Sequence, residues 1–143
     1  MSTTDVCSTV RSIPTNIWSK RPEPVPAWIE HLVRQIASDE GVPVDFHPRV
    51  AVTSVPCATH FAGRWFHVVN GVAIALQPSD AIVRGVVVHE TCHWLSWIRN
   101  GDEAGEHDDL FYGLLRRLYP KYNVSLKIAK TIDHHSIDKV AWR

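Results

Sequence analysis

Residues 81–99 read AIVRGVVVHETCHWLSWIR, a long apolar run with polar residues set into its second half. The run is longer than most strands, and helix signals bound it on both sides. Ser79 or Asp80 can cap its first turn, and Asn100-Gly101 is typical of a helix end. The sequence therefore predicts one long helix here, from Ser79 or Asp80 to about Arg99.

The polar residues inside this helix form the pattern H-E-x-x-H, with His89, Glu90 and His93. Residues four apart lie on one helical face, so both imidazoles can hold a Zn²⁺ ion at about 2.0–2.1 Å. Glu90 lies about 100° further round the helix, within reach of a water molecule beside the ion. Two histidine ligands and a general base are what a zinc hydrolase requires. The alternative is a helix with two packing histidines, but imidazoles in an apolar helix need partners for their nitrogens.

A catalytic zinc ion usually takes a third protein ligand, and the segment after the helix offers several. The candidates are its ionisable side chains: Asp102, Glu103, Glu106, His107, Asp108 and Asp109. His107 is favoured, because the helix continues about 9 Å past His93 and the polar loop that follows is long enough to return that far. The alternatives that stay open are two loop carboxylates and a histidine pair near the C-terminus: Glu103, Glu106, His134 and His135.

The segment HETCHWLSWIRNGDEAGEHDDLFYGLL resembles the core of small zinc metalloproteases of the SprT/Spartan type and of the related WLM type. In both, a loop follows the H-E-x-x-H helix, and a third histidine opens a helix with an aromatic residue about four positions later. Here these residues are His107 and Phe111. The specific resemblance covers residues 85–118, and the elements before it match in architecture only. The resemblance implies three zinc ligands and a general base: His89, His93, His107 and Glu90.

Other periodicities predict a small sheet and two further helices. The elements are a helix and three strands before the long helix, and one helix after it: 27–39, 49–55, 64–69, 72–76 and 107–119. Asn70-Gly71 is expected as a two-residue hairpin turn, and Pro120 is expected to follow the last helix. The final twenty-odd residues are ambiguous. This order indicates an α+β domain. The resemblance implies a minimal zincin-like fold, in which a small three-stranded sheet packs against three helices: the N-terminal, the H-E-x-x-H and the third-ligand helix.

Composition narrows the class of protein. The formal net charge is zero, so nothing indicates a nucleic-acid surface, although a local basic face is compatible with it. The three cysteines lack a C-x-x-C pair, which argues against a disulfide framework. No segment resembles a signal peptide or reaches the roughly 20 apolar residues of a membrane span, so a cytoplasmic protein without a membrane partner is expected.

Domain organisation follows from the Ser, Thr and Pro content of the N-terminus. Residues 1–26 are expected to form an extended or flexible arm, which Ile17 and Trp18 attach to a single domain over 27–143. Near the other terminus, the residues 133–135 (DHH) are interpreted as a solvated tail.

Several residues have a structural interpretation beside a functional one. Gly85 either permits a close approach by a substrate strand or by the sheet, or is a packing glycine that the helix tolerates. Tyr112 and Tyr119 are expected in the core, with an oxyanion contact as the alternative. Asp108 either orients a ligand histidine or favours the first turn of its helix. Cys92 is assigned to the core, together with four tryptophans: Trp28, Trp65, Trp94 and Trp97.

The sequence thus predicts a zinc metallopeptidase in which Glu90 takes a proton from the attacking water. Its partners would be a zinc ion and a protein or peptide substrate, aligned along the strand Val72–Leu76 as a sheet edge. One alternative is a zinc-stabilised binding protein without proteolysis, and another is a zinc hydrolase with a non-peptide substrate.

Overall fold

The computed structural model describes Trp18 and residues 23–54, 63–66, 70–101 and 108–141. The helices of this part are α1 (Ala27–Asp39), α2 (Asp80–Asn100), α3 (Asp109–Lys121), α4 (Leu126–Ile132) and α5 (Ile137–Val140). The strands are β1 (Arg49–Thr53), β2 (Gly63–Phe66) and β3 (Gly71–Ala75). The predicted α+β class is confirmed, and the segment with an ambiguous sequence holds α4 and α5.

The strands form a three-stranded sheet in the order β1-β3-β2. β1 runs parallel to β3, with Val50 opposite Val72, and β2 runs antiparallel to β3, with Trp65 also opposite Val72. The prediction that Val72–Leu76 is a sheet edge is therefore wrong. β3 is the central strand and is hydrogen-bonded on both sides, so its backbone has no free row of donors and acceptors for a peptide.

The connection from β2 to β3 also differs from the expected two-residue turn. Gly71 is paired with Phe66 as the first residue of β3, so it belongs to the strand and not to a turn. Asn70 adopts the left-handed conformation, with φ of 50°. Its carbonyl accepts a hydrogen bond from the backbone N–H of Arg49 (2.8 Å), and its side-chain oxygen accepts one from Trp94 Nε1 (2.7 Å). Asn70 therefore joins the sheet to α2 as well as turning the chain.

The two faces of β3 have different neighbours. Val72 and Ile74 belong to the main core, which the sheet shares with the helices. Ala73 and Ala75 face the other side and pack against Trp18. A Cβ atom at Gly71 would lie 2.5 Å from Trp18 Cζ2, so glycine is needed for the indole to approach. The predicted attachment by Trp18 is confirmed, whereas Ile17 lies outside the described residues.

α2 lies at the centre of the helical layer and agrees with its predicted bounds. The Ser79 hydroxyl accepts a hydrogen bond from the backbone N–H of Ile82 (3.3 Å), and Gly101 ends the helix with φ of 59°. α3 extends one residue past Pro120 instead of ending before it. None of the helices in the described ranges combines the length and apolar composition that crossing a bilayer requires.

Gly85 is the point at which α4 crosses α2. A Cβ atom there would lie 2.3 Å from Ile132 Cδ1 and 2.8 Å from Ile128 Cγ2. Of the interpretations open for this glycine, the contact that the structure shows is helix packing, because only a residue without a side chain lets α4 come this close. As a result, the C-terminal end of α4 lies beside the middle of α2.

An ion cluster joins the ends of three helices. The Glu40 carboxylate, which follows α1, accepts hydrogen bonds from Arg117 Nη1 and Nη2 (2.8 and 2.7 Å) and from Arg99 Nη2 (2.9 Å). The Arg117 guanidinium, assisted by that of Arg99, lowers the pKa of Glu40 to about 2 against the opposing effect of burial. The cluster therefore holds α1, α2 and α3 together at one end of the domain.

Candidate metal centre

His89, Glu90 and His93 come together in the middle of α2, as the helical spacing predicts. One ligand atom from each lies within 4.8 Å of the other two. The residues are 9%, 8% and 6% exposed, respectively, so this polar group lies almost entirely inside the protein. The Glu90 Oε2 atom is 4.0 Å from His89 Nε2. These three residues form a group that could hold a metal ion.

The donor set and its spacing fit a small divalent cation. In a tetrahedral zinc site with bonds of about 2.0–2.1 Å, neighbouring ligand atoms are about 3.4 Å apart. The spacing of up to 4.8 Å in this structure is therefore within about 1.5 Å of a coordination shell. Rotations of the side chains cover such a difference without a change in α2. Imidazole nitrogen with carboxylate oxygen is also a donor set that zinc takes.

The Nδ1 side of His89 contacts one residue of α3 and the residue that follows α4. Its Nδ1 atom is 3.2 Å from Asp133 Oδ1 and 3.3 Å from the Tyr119 hydroxyl. That hydroxyl donates a hydrogen bond of 2.6 Å to Asp133 Oδ2. Burial, followed by the charge of Asp133, raises the pKa of Tyr119 well above its usual value. The phenol therefore stays protonated and acts as a donor to the carboxylate.

This arrangement corrects the interpretation of residues 133–135 as a solvated tail. Asp133 is only 7% exposed and contacts a residue of the H-E-x-x-H motif. His134 is exposed, and the side chain of His135 lies outside the described residues. Asp133 thus places its carboxylate beside His89, at the edge of the candidate metal site.

His93 is held by an aromatic ring of α3. The Phe111 ring lies parallel to the imidazole, with centroids 3.9 Å apart and an angle of 11° between the planes. The same ring meets His89 edge-on at 5.1 Å. Because Phe111 is completely buried, contact with its ring restricts how far both imidazoles can tilt.

The favoured third ligand, His107, lies outside the described residues, and so do the alternatives Glu103 and Glu106. The structure describes the chain again from Asp108. The Asp108 side chain caps α3 by accepting a hydrogen bond from the Phe111 backbone N–H (3.0 Å), which agrees with the interpretation as a helix-start residue.

Most of the remaining structural interpretations are confirmed. Cys92 is buried, and burial raises the pKa of its thiol well above the usual value, so it is an inert core residue. The Tyr112 and Ser136 hydroxyls form a hydrogen bond of 3.0 Å, and the Tyr119 hydroxyl donates one to Asp133. Trp94 is fully buried. Trp28 and Trp97 pack against the core, while the side chain of Trp65 lies outside the described residues.

Sequence reasoning missed Phe111 as a neighbour of the histidines and Asp133 as a partner of His89. For Phe111, a signal was available, because it lies four positions after the expected ligand His107 and therefore on the same face of that helix. For Asp133, the sequence offers only Gly85, a glycine one turn before His89, which permits a close approach without identifying the segment that makes it. Comparison with protein-family models, with curated proteins and with solved structures returned no match.

Proposed function

We propose that this protein is a zinc-dependent metallopeptidase of the zincin type, with zinc ligands His89, His93 and His107 and with Glu90 as the general base. The observation that carries the proposal is the buried His89–Glu90–His93 group on one helix. Burying three ionisable side chains together is unfavourable unless they bind something or one another, so a helix that keeps them has a use for them.

The chemistry needs one group that the chain does not supply. A zinc ion held there by His89, His93 and His107 would supply a Lewis acid that activates a water molecule and polarises the scissile carbonyl. Glu90 lies next to a ligand in sequence, and its Oε2 atom is 4.0 Å from His89 Nε2, so its carboxylate can accept the proton of the attacking water. The same carboxyl group then returns that proton to the leaving amine. The low exposure of Glu90 limits competition from bulk water.

The position of α3 supports His107 as the third ligand. His107 directly precedes Asp108, the N-cap residue of α3. Phe111, one turn into this helix, contacts both His89 and His93. The helix start is therefore directed toward the two imidazoles, which is where a third imidazole is needed. Of the alternative ligands, His134 has an exposed side chain, which fits a buried metal group less well.

The substrate class that we propose is an extended peptide. Backbone pairing with such a peptide requires a sheet edge, and in the described sheet the edges are β1 and β2. At the end of β1, the Glu23 carboxylate accepts hydrogen bonds from the Ser54 backbone N–H (3.0 Å) and from its hydroxyl (2.7 Å). This part of the β1 edge is already covered, which favours β2 as the docking edge. The cytoplasmic location stays a prediction.

The decisive experiment replaces Glu90 by glutamine. Glu90→Gln is nearly isosteric and leaves all proposed ligands in place, so zinc content and thermal stability should match the wild type. Hydrolysis of a mixed peptide library should fall by roughly 10²–10⁴-fold, as expected for loss of a general base. Asp80→Asn is the matched control, because Asp80 is the other acidic residue of α2 and is exposed.

The outcomes separate the candidate functions. Unchanged cleavage by the Glu90→Gln protein would refute the general-base mechanism. If the wild-type protein binds zinc but cleaves no peptide, and both proteins keep the same stability, the metal is structural. A zinc-stabilised binding protein is then the better description, because the site joins α2 to α3 and to the end of α4.

A further inference from the structure

We propose that Asp133, together with Tyr119, is the positioning residue of the metal centre. It keeps the proton of His89 on Nδ1, so that Nε2 carries the lone pair and becomes the ligating atom. The inference rests on the proposed metal site, but it concerns a residue outside the H-E-x-x-H motif. The segment after α3 would then be part of the centre and not an appendage of the domain.

The hydrogen-bond donors and acceptors around His89 determine which ring nitrogen carries its proton. Tyr119 has one hydroxyl hydrogen, and it is directed to Asp133 Oδ2 at 2.6 Å. The other carboxylate oxygen, Oδ1, lies 3.2 Å from His89 Nδ1. A carboxylate only accepts, so a hydrogen bond across this distance requires a proton on Nδ1. The Tyr119 oxygen, 3.3 Å from the same nitrogen, also acts as an acceptor in this arrangement.

Burial makes the opposite tautomer of His89 unfavourable. The side chain of Asp133 is 4% exposed and that of His89 is 11% exposed. With Nδ1 unprotonated, its lone pair would face two oxygen atoms in a region that water hardly reaches, which is repulsive. The opposite tautomer is therefore disfavoured by the protein itself. The preferred one points the lone pair of Nε2 toward the side of the ring where Glu90 lies, 4.0 Å away.

The Asp133 carboxylate also affects how strongly His89 would bind a cation. A carboxylate that accepts from the distal nitrogen of a ligand histidine raises the basicity of the ring and fixes its orientation. Loss of such a partner typically weakens metal affinity by about 10–100-fold. The fold delivers Asp133 directly, because α4 lies against α2 at Gly85 and Asp133 is the residue that ends α4.

The chain contains a matched control for this network. Tyr122, also at the end of α3, donates a hydrogen bond of 2.7 Å to Asp39 Oδ2. This second tyrosine–aspartate pair has nearly the same geometry and does not include His89. Tyr119→Phe and Tyr122→Phe therefore each remove one tyrosine–aspartate hydrogen bond, and only the first alters the surroundings of a proposed ligand.

The experiment measures zinc affinity by competition with a chromophoric chelator, together with the absorption spectrum of the Co²⁺-substituted protein. Asp133→Asn should weaken zinc binding by about 10–100-fold and shift the cobalt spectrum. Tyr119→Phe should act in the same direction with a smaller effect. Tyr122→Phe and Asp39→Asn should leave affinity within about twofold of wild type. A merely structural role for Asp133 would lower stability without this selective effect on the metal.

A metal-independent measurement completes the test. In the metal-free wild-type protein at pH 8, ¹⁵N-edited NMR should show His89 with its proton on Nδ1. A proton on Nε2 would overturn the inference, and so would equal zinc affinity for Asp133→Asn and wild type. If Asp133→Asn does not fold, Tyr119→Phe and the tautomer decide.

The two proposals can fail separately. Weakened zinc binding in Asp133→Asn, combined with undiminished hydrolysis in Glu90→Gln, would support the positioning role and refute the peptidase mechanism. Unchanged zinc affinity in Asp133→Asn, combined with lost hydrolysis in Glu90→Gln, would do the reverse.

Discussion

Replacing Gly85 by alanine should push α4 away from α2. The added Cβ would lie 2.3 Å from Ile132 Cδ1 and 2.8 Å from Ile128 Cγ2. Carbon atoms in good contact are about 3.5–4.0 Å apart, so α4 must move by roughly 1 Å or both isoleucines must change rotamer. Overpacking of this kind costs about 1–3 kcal/mol, while the better helix propensity of alanine returns about 1 kcal/mol. The free energy of unfolding should therefore fall by about 0–2 kcal/mol.

Gly113 provides the control, because it is also a helical glycine and its surroundings are open. A Cβ atom there would meet only Arg116 Nη2, at 3.8 Å. Gly113→Ala should thus raise the free energy of unfolding by about 1 kcal/mol, as expected from propensity alone. The difference between the two substitutions, about 1–3 kcal/mol, isolates the contact with α4. Urea denaturation followed by circular dichroism at pH 7 measures it.

Two further results test the reasoning. Ile132→Val removes the Cδ1 atom, so adding it to Gly85→Ala should recover part of the lost stability. Zinc affinity should also fall in Gly85→Ala, because Asp133 follows Ile132 directly and moves with α4. Equal stabilisation by Gly85→Ala and Gly113→Ala would show that α4 does not rest on Gly85 in the way described.

Two more predictions concern charge and metal. Glu40 has its pKa lowered to about 2 from 4.5, so its ion cluster stabilises the fold above about pH 4.5 and loses that contribution as the pH falls toward 2. At pH 7, Glu40→Gln should lower the free energy of unfolding by about 1–2 kcal/mol, since its arginine partners are partly exposed and screened. Glu30→Gln, which removes an exposed ion pair, should lower the free energy of unfolding by less than about 0.5 kcal/mol. Equal losses of stability for the two variants in urea titrations would contradict the stabilising role of the Glu40 cluster. The His93→Ala protein should purify without zinc and with a lower melting temperature. The control is His31→Ala, at an exposed position of α1, which should keep its metal. Full zinc occupancy in His93→Ala, measured by elemental analysis, would remove His93 from the ligand set.

The helices were the most predictable part of the fold, because their signals are local. For α2, the caps and the apolar run fix both ends, and the spacing of His89 and His93 fixes their common face. α4 was not predicted, because its seven residues cover only about two helical turns, and hydrophobic periodicity over so short a segment does not distinguish a helix from a loop. The order of the sheet was also missed: a hairpin pattern shows that β2 and β3 pair, but it does not show that β1 joins on the far side of β3.

For the candidate site, the sequence alone determined the H-E-x-x-H group, since a helix with 3.6 residues per turn brings those three side chains together whatever surrounds it. Only the tertiary structure decided what lies behind them. Asp133 reaches His89, and Phe111 reaches His93, because α3 and α4 pack against α2. Such contacts depend on how side chains of distant segments fit one another, above all at Gly85, and no spacing along the chain encodes that fit.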